Sequence, residues 1–347
     1  MPALAVAQAL RAEGAQVSFI GGERAEAQLV PAAGFELHRL RVRGLARRDP
    51  VQAARALGEA ALAVVRSRDL LGRLGAQAVM GGGGYVAGPV GLAAVSRRVP
   101  LVLTEADSHL GLTNRALAPL ARRVCLAFPV AGRDGPRYRV TGRPGPAAAS
   151  DREAARNALG LWGSETALLV FGGSLGARSI NQAAFAAFAD APFPVIHVAG
   201  SRDFAELASR PRGPRYDLRE YLDSHDFSCA LAACDLVLAR AGGSIFEVAA
   251  HARPAILVPY PHATADHQSA NARWMADAGA AVVIADADCS APRLRSAVTA
   301  LLGDPATREG MARASGALAR PHAAADVAGE LLAAAHGARA AVRPQRW

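Results

Sequence analysis

The chain has 347 residues, of which 51% are hydrophobic and 20% are charged. This composition is typical of a globular protein, and the length favours two domains of roughly 150 residues each. No lysine occurs, so all 39 basic residues are arginine. Schiff-base enzymes, pyridoxal enzymes and lysine-bearing phosphate loops are therefore excluded. The formal net charge of +9 favours anionic partners such as phosphorylated substrates, phospholipid surfaces or nucleic acid.

The sequence also argues against a nucleic-acid partner, a metal site and membrane-spanning or signal segments. The arginine cluster RLRVRGLARR (39–48) has no interleaved aromatic residues, so no nucleic-acid partner is expected. The four cysteines lack metal-ligand spacing, which predicts reduced structural thiols and no metal. No apolar run of about 18 residues lacks a charge, and no basic region precedes an apolar stretch at the N-terminus, so neither a membrane span nor a signal peptide is predicted.

The chain opens on a predicted helix, with Pro2 in its first turn and Gly14 as its stop. In a doubly wound domain the first strand lies in the middle of the sheet, and no strand precedes this helix. We therefore expect that the start is internal and that about 12–20 residues of strand and loop come before it. The N-terminal domain would then lack its first strand and glycine loop.

Short apolar runs alternate with helical stretches along the rest of the chain. This alternation predicts parallel sheets covered by helices, hence an α/β fold of two Rossmann-like domains that face a cleft. Pro144, Gly145 and Pro146 are the best candidate linker. The predicted domains are residues 1–145, residues 146–325, and a C-terminal helix and tail at 326–347 that packs back on the N-terminal domain. The predicted strands lie at 17–20, 77–80, 100–103, 167–171, 194–198, 235–239 and 255–258.

Glycine-rich turns follow two of these strands. GGGGYVAGP (81–89) permits close backbone approach to a phosphate or a lipid carrier, although a turn with Tyr85 packed as local core is also possible. FGGSLGAR (171–178) resembles a dinucleotide fingerprint only loosely. Hydride transfer would need an acidic residue about twenty positions on to hold a ribose, and His197 lies there instead.

The segment RAGGSIFE (240–247) combines a glycine turn, a helix start and a carboxylate. Gly242 and Gly243 let the backbone approach an oxyanion, and the helix beginning near Ser244 offers unpaired N–H groups without any lysine. Glu247, about one turn into that helix, can accept hydrogen bonds from both hydroxyls of a ribose. The pattern favours a nucleotide-diphosphate sugar, and the alternative is an ordinary capped helix with a surface glutamate.

Two polar loops complete the pattern. TEADSHLGLTN (104–114) places Glu105, Asp107, His109 and Asn114 where sugar hydroxyls would be bound. After the strand at 255–258, Asp266 is predicted to cap a helix, with Gln268 and Asn271 on one face of it. Gln268 could both donate to a sugar and accept from it. His262 and His267 have no further ligand nearby in the sequence, so no metal is expected there.

Four motifs carry a resemblance, in the order LVLTEADSHLGLTN, LLVFGGSLGARSIN, RAGGSIFE and PHATADHQSANA. They resemble the MurG family along essentially the whole chain. The resemblance implies a two-domain GT-B fold and inverting transfer of N-acetylglucosamine from UDP-N-acetylglucosamine to the muramoyl 4-hydroxyl of lipid I, undecaprenyl-pyrophosphoryl-MurNAc-pentapeptide. It also implies a peripheral enzyme of peptidoglycan synthesis on the cytoplasmic face of the cell membrane, and no cofactor or metal is expected. Arginines of the N-terminal half and apolar residues around ALAVVRSRDLLGRL (61–74) could seat that domain on an anionic membrane, and the alternative for 61–74 is an amphipathic core helix.

The resemblance also implies roles for particular residues. Ser174 would lie near the diphosphate, the Leu222 backbone at the uracil, Glu247 on the ribose and Gln268 on the sugar. The residues under the phosphates would be Gly242, Gly243, Ser244, Ile245 and Phe246. The residues facing the acceptor would be Gly81, Gly82, Gly83, Gly84 and Tyr85.

The chain departs from the family pattern at several points. Where the family has HEQN, this chain has TEAD, so an aspartate, Asp107, replaces the asparagine that touches the sugar. Where it has GNPVR, this chain has GRPGP, so Arg143 is a displaced substitute for the usual arginine. The turn at 240–247 is one residue shorter than usual. The family's GGTGGH loop, with its general-base histidine, is expected before Pro2, and no catalytic base is assigned here.

Two alternatives stay open at this point. One is a non-catalytic or impaired sugar-nucleotide-binding protein, since the GGTGGH loop is absent from this sequence. The other is a different GT-B enzyme, such as a UDP-N-acetylglucosamine epimerase. An epimerase would have no need of a glycine loop that faces a lipid, and residues 81–89 therefore argue against it.

Overall fold

The structure is a computed structural model of the whole chain. It describes residues 2–342 except Arg24, Arg41, residues 43–49, Pro146, Ala147, Ser150, Trp162, Ser164 and Ser174, and within the helices it describes only the backbone of residues 50–57 and 338–342. The chain divides into two compact units. Unit 1 comprises Met1–Gly145 with His322–Trp347, and unit 2 comprises Pro146–Pro321.

Helices and strands alternate through both units. The helices are α1 (Pro2–Ala12), α2 (Glu26–Ala32), α3 (Pro50–Arg73), α4 (Gly84–Ser96), α5 (Leu112–Leu117), α6 (Arg152–Ala158), α7 (Arg178–Phe188), α8 (Phe204–Ala208), α9 (Ser224–Ala233), α10 (Ile245–Ala250), α11 (His267–Asp277), α12 (Ala291–Gly303), α13 (Pro305–Leu318) and α14 (Ala323–Val342). The strands are β1 (Ser18–Gly21), β2 (Glu36–Arg39), β3 (Val79–Gly81), β4 (Leu101–Glu105), β5 (Arg123–Leu126), β6 (Tyr138–Val140), β7 (Leu168–Phe171), β8 (Val195–Val198), β9 (Tyr216–Arg219), β10 (Leu236–Ala239), β11 (Ala255–Leu257) and β12 (Ala281–Val283).

Unit 2 is built on one parallel sheet with the strand order β12-β11-β10-β7-β8-β9. Every residue of β7, β8, β10 and β11 is buried, as expected for strands covered by helices on both faces. The apolar runs predicted to form these strands are therefore confirmed. The carboxyl ends of β7 and β10 lie side by side, because these two strands are neighbours in the sheet.

Unit 1 contains two parallel sheets, β1-β2 and β3-β4-β5-β6. Helix α4 packs against β1, β3 and β4, so one helix contacts both sheets. The strands predicted at 17–20, 77–80 and 100–103 are confirmed. Among the described residues, β1 pairs only with β2 and β3 pairs only with β4. The strand expected upstream of Pro2 stays a prediction.

The N-terminal helix α1 forms as the sequence predicts, with Pro2 at its first position. Gly14 follows it with φ +80°, a left-handed conformation that glycine adopts without steric cost. Val6 of α1 is buried in a cluster with Val327 and Leu331 of α14. The first and last helices of the chain thus pack together within unit 1.

Ion pairs attach α14 to the sheet of unit 1. Glu330 accepts from Arg123 Nε at 2.6 Å and from Arg139 at 2.8 Å, and Asp326 lies 3.4 Å from Arg139. These hydrogen bonds hold the pKa of Glu330 below its usual range even though burial opposes the shift. Burial chiefly, with a contribution from Glu330, raises the pKa of Cys125 to about 12, so this thiol stays protonated. The four cysteines are free thiols, as predicted.

Arginines satisfy the last carbonyl groups of α9 in unit 2. Arg152 donates to the carbonyls of Ala232 and Cys234, Arg156 donates to that of Ala233, and both arginines lie within 3.6 Å of an Asp235 carboxylate oxygen. A helix end leaves four carbonyl groups without helical partners. Guanidinium groups, with five donors in a fixed plane, therefore serve here as caps.

No helix in the described part of the chain is long and apolar enough to cross a membrane.

Candidate sugar-nucleotide site

The turn between β10 and α10 presents backbone N–H groups at the carboxyl edge of the unit 2 sheet. Those of Gly242, Gly243 and Ser244 have no acceptor among the described residues, since the first intrahelical bonds are donated from Ile245 onward. Neither glycine has a positive φ. Among the described residues, a Cβ added at Gly242 would meet only Gln268 Nε2, at 4.0 Å. Gly242 therefore leaves space beside the turn and is not required by backbone strain.

Two amide side chains of α11 border this turn. Asn271, 1% exposed, donates from Nδ2 to the carbonyl of Ala241 at 2.9 Å. This hydrogen bond fixes the residue that precedes the turn. Gln268 Oε1 accepts from the Tyr260 N–H at 3.0 Å. Because a backbone N–H can only donate, the oxygen of Gln268 must face Tyr260 and Nε2 is left facing Gly242. Gln268 therefore has its donor atom Nε2 on the side of Gly242, and its expected role toward a sugar stays a prediction.

The helix cap predicted at Asp266 is wrong. Asp266 precedes α11 with φ +53° and ψ +31°, a left-handed conformation, and its side chain makes no capping hydrogen bond. Ala265 before it has φ +52°. An N-cap residue normally has extended backbone angles so that its side chain can reach the first N–H groups. Because Ala265 and Asp266 both have left-handed backbone angles, the Asp266 side chain is not placed to cap the helix.

The other residues predicted to belong to this site differ in how far they are buried. Ile245 is fully buried and Phe246 packs beside Trp274 with ring centroids 5.4 Å apart, so both can offer a ligand only their backbone. Glu247 is half-buried in the first turn of α10. Its backbone carbonyl accepts from His251 Nδ1 at 2.7 Å, which closes this short helix.

The second glycine turn of unit 2, residues 172–176, follows β7. Gly173 and Gly176 have φ +94° and +80°, and a Cβ on Gly176 would lie 2.0 Å from the carbonyl oxygen of Ala199. Unlike Gly242, these glycines are required by the fold itself. Ser174 lies outside the described residues. Leu222, just beyond β9, is buried, so its side chain is largely inaccessible.

A buried polar network holds the 172–176 turn against the end of β8. Asn181 Nδ2 donates to the carbonyl of Ala199 at 2.7 Å and to Asp203 at 2.8 Å, so its Oδ1 must accept from His197 Nε2 at 3.1 Å. His197 Nδ1 then accepts from the Tyr216 hydroxyl at 2.6 Å. Every group is satisfied only with a neutral imidazole, and burial lowers the pKa of His197 to about 4.

In unit 1, hydroxyl groups attach the glycine turn 81–84 to the neighbouring loop. Thr104 donates to the carbonyl of Gly81 at 3.4 Å, and Thr113 donates to that of Gly84 at 3.0 Å. Gly83 and Gly84 have φ +81° and +75°, and α4 begins at Gly84, so the first turn of this helix lies beside the loop. Tyr85 is half-buried in that first turn.

Glu105 and Asn114 shape the loop between β4 and α5 from inside. The buried Glu105 carboxylate accepts from the N–H of Gly111 at 2.9 Å, from Asn114 Nδ2 at 2.9 Å and from the N–H of Asp107 at 3.3 Å. The Glu105 carboxylate and Asn114 Nδ2 are thus engaged within the protein, whereas Asn114 Oδ1 is buried and has no partner among the described residues. Asp107 and His109 remain half-buried on the loop.

Arg143 lies in unit 1 beyond β6, half-buried, after Gly142 with φ +85°. The structure thus brings residues 242–247 and Gln268 together in unit 2, and residues 81–85 beside the Asp107 loop in unit 1. In the described part of the chain, no three His, Cys, Asp or Glu side chains come together as metal ligands.

Local sequence patterns do not reveal the residues that support the unit 2 site, which are Asn181, His197, Arg240 and Tyr260. A buried strand residue such as His197 among apolar neighbours, or an arginine such as Arg240 directly before a glycine pair, is the signal that could have found them, since buried polar groups need partners.

Family models match both halves of the chain. Residues 1–126 match the N-terminal domain of glycosyltransferase family 28, and residues 167–327 match its C-terminal domain. A transferase from Rubrobacter xylanophilus, named UDP-N-acetylglucosamine–N-acetylmuramyl-(pentapeptide) pyrophosphoryl-undecaprenol N-acetylglucosamine transferase, is 42% identical over 337 residues, which cover 95% of this chain and 98% of the relative.

Solved structures agree with these matches. MurG from Acinetobacter baumannii has a TM-score of 0.76 at 28% identity, over 96% of this chain and 95% of that one. A UDP-GlcNAc 2-epimerase from Neisseria meningitidis, bound to UDP-GlcNAc, has a TM-score of 0.66 at 14% identity, over 95% of each chain, and shows the fold alone. The chain is thus a glycosyltransferase with the two-domain α/β GT-B fold. It belongs to the MurG family within glycosyltransferase family 28.

His197 should make the protein sensitive to acid. The unfolded chain binds the imidazole proton near pH 6.5 and the folded protein only near pH 4, so lowering the pH between these values favours unfolding. We expect up to about 3 kcal/mol of stability to be lost across this window. In His197→Gln, stability at pH 7.5 should fall, but the additional loss between pH 6.5 and 4 should shrink.

Urea unfolding at a series of pH values measures this effect. His225→Gln, which changes an exposed histidine of the same unit, is the matched control and should keep the wild-type pH dependence. Equal pH dependence in His197→Gln and wild type would contradict the assignment of a neutral buried imidazole.

Proposed function

We propose that this protein transfers N-acetylglucosamine from UDP-N-acetylglucosamine to the 4-hydroxyl of the muramoyl sugar of lipid I, which gives lipid II. The observation that carries this proposal is the turn at 242–244, whose three N–H groups have no acceptor among the described residues and which has the Nε2 of Gln268 beside Gly242. Relatives that cover nearly the whole chain are named for this transfer. Unit 2 is the donor-binding domain, and unit 1 is the acceptor-binding domain.

In this reaction the acceptor oxygen attacks the anomeric carbon as the bond from that carbon to the β-phosphate oxygen breaks. The proton of the hydroxyl passes to a base, and negative charge develops on the departing diphosphate. Main-chain N–H groups at Gly242, Gly243 and Ser244 can stabilise that charge without lysine, because they are fixed before the reaction and directed at one place. The positive charge of an arginine is not required at this point.

The other donor contacts follow from the same placement. Glu247, one turn into α10, accepts from the ribose hydroxyls, and the backbone of Leu222 meets the uracil. Ser174 approaches the diphosphate from the 172–176 turn. Gln268 Nε2 donates to a sugar oxygen, which matches its fixed orientation toward Gly242.

The acceptor contacts lie in unit 1. The first turn of α4 and the glycines before it, Gly81 to Gly84 with Tyr85, receive the lipid diphosphate, because glycines let an anion approach the backbone and the start of a helix carries the positive end of its dipole. Asp107 and Arg143 lie on the loops after β4 and β6 and contact the sugars. Asp107 can only accept hydrogen bonds when ionised, so its partner must be a hydroxyl or an amide N–H.

Unit 1 also seats the enzyme on the anionic cytoplasmic surface of the cell membrane. Helix α3 packs against α4, yet it exposes Leu62 and Val65, at 49% and 63%, beside the exposed Arg66. An amphipathic surface of this kind binds anionic lipid in two ways. Its apolar side chains are buried in the lipid interface, and its arginine is attracted to the negative headgroups. The arginine cluster at 43–48 lies outside the described residues.

Transfer is tested with radiolabelled UDP-N-acetylglucosamine and lipid I in detergent, with lipid II resolved by chromatography. We expect labelled lipid II and free UDP in equal amounts. Label converted to UDP-N-acetylmannosamine would instead indicate an epimerase. Donor binding without product would indicate a sugar-nucleotide-binding protein, and either result would overturn the proposal.

Gly242→Ala should separate binding from folding. The added methyl group meets nothing closer than 4.0 Å in the protein, so the free energy of unfolding should stay within about 1 kcal/mol of wild type. It would fill the space proposed for the diphosphate, and UDP affinity measured by calorimetry should fall about hundredfold. Gly176→Ala is the contrasting variant, because a methyl group there collides with Ala199 and should cost at least about 2 kcal/mol of stability.

Unchanged UDP affinity in a folded Gly242→Ala protein would remove the turn from the donor site.

Membrane seating is tested by sedimentation with vesicles of phosphatidylglycerol and phosphatidylcholine. Leu62→Ser with Val65→Ser should reduce binding at least about tenfold, because both side chains lose their place in the lipid interface. Leu175→Ser, which changes a side chain that is 69% exposed in unit 2, should leave vesicle binding unchanged. Equal binding by the α3 variant and wild type would contradict this placement.

A further inference from the structure

Arg240, the residue directly after β10, connects three strand ends of unit 2. It is only 9% exposed. One terminal nitrogen donates to the carbonyls of Val258 and Pro259, at 3.0 and 3.2 Å, and to Asp286 Oδ1 at 2.6 Å. These acceptors follow β11 and β12. The guanidinium therefore ties together the carboxyl ends of β10, β11 and β12.

The other terminal nitrogen of Arg240 reaches α7. It donates to Ser179 Oγ at 2.8 Å, and Ser179 Oγ in turn donates to Asp286 Oδ1 at 2.6 Å. The triangle of Arg240, Ser179 and Asp286 is thus closed, and each group has a partner. The plane of the guanidinium also lies near Tyr260, with its carbon 5.4 Å from the ring centroid. Arg240 therefore contacts the backbone before Tyr260 and the Tyr260 ring together.

Tyr260 links this cluster to the candidate site. Its backbone N–H donates to Gln268 Oε1, and this hydrogen bond decides which end of the Gln268 amide faces Gly242. Without the bond, the amide could rotate and present oxygen or nitrogen in turn. The orientation of Gln268 therefore depends on where the chain at 258–260 is held.

We propose that Arg240 is a positioning residue that acts through Tyr260 to keep Gln268 as a hydrogen-bond donor to the sugar of the nucleotide. The placement of Gln268 stands on the structure alone, and the consequence for the sugar rests on the proposed function. Arginine suits this position because its planar donors reach two carbonyls, a hydroxyl and a carboxylate at once. Lysine has one donor atom and cannot span them.

The first test needs no substrate. Hydrogen exchange of the Tyr260 amide is followed by NMR in wild type, Gln268→Ala and Arg240→Met. We expect exchange about tenfold faster in both variants, because each loses the bond from Tyr260 to Gln268. Arg156→Met is the matched control. Arg156 is 8% exposed and also donates to backbone carbonyls of unit 2, but it lies away from this turn, so Tyr260 should exchange as in wild type.

The second test compares UDP with UDP-N-acetylglucosamine by calorimetry. Gln268→Ala and Arg240→Met should each weaken binding of the sugar nucleotide about tenfold and leave UDP binding unchanged, since only the sugar meets Gln268. The double variant should bind no more weakly than either single variant, because the two residues act through one hydrogen bond. Arg240→Lys should restore part of the lost affinity.

If Arg240→Met does not fold, Ser179→Ala and Asp286→Asn test the same cluster more mildly. Each removes one support of the guanidinium and should speed Tyr260 exchange by a smaller factor. Wild-type Tyr260 exchange in Arg240→Met, additive losses in the double variant, or equal losses of UDP and sugar nucleotide would each overturn the inference. Wild-type protein that binds no UDP-N-acetylglucosamine would overturn the proposed function, while Tyr260 exchange would still decide the role of Arg240.

Discussion

Unit 2 places the backbone N–H groups of residues 242–244, which have no acceptor among the described residues, together at the carboxyl edge of its sheet. They precede the first intrahelical bonds of α10, as the N–H groups at the start of any helix do. Asn271 holds the carbonyl of Ala241 beside them, so the turn is fixed by the protein itself. N–H groups held in this way at a helix start favour an anion.

In the two glycine turns of unit 2, glycine is needed for two different physical reasons. At Gly176 the backbone of Ala199 comes so close that no side chain fits, and the positive φ adds a second requirement. At Gly242 neither reason applies, and the missing side chain leaves space for something outside the protein. Sequence alone gives both positions the same letter. Only the neighbouring atoms separate a glycine required for folding from one required for a ligand.

Much of the fold could be predicted because strand runs, helix stops and glycine turns are local. The seven strands predicted between residues 17 and 258 are all present, since apolar runs between helices are buried most easily as strands of a covered sheet. Among the strands that were not predicted, β6 and β12 are short and partly exposed, so burial left little mark on their sequences, whereas β5 is largely buried but begins at Arg123. The orientation of Gln268 and the network around His197 depend on residues that are remote in sequence, and no local pattern encodes such pairings.

The buried polar groups of unit 2 make its stability more sensitive to acidic pH than to basic pH. A guanidinium keeps its proton far into alkali, and burial raises the pKa of Cys234 to about 12 and that of Tyr216 further still, so none of these groups is neutralised or ionised under mildly basic conditions. With no lysine in the chain, no side-chain amine titrates there either. At acidic pH, protonation of the buried His197 imidazole destabilises the fold. An enzyme held together in this way tolerates an alkaline surrounding better than an acidic one.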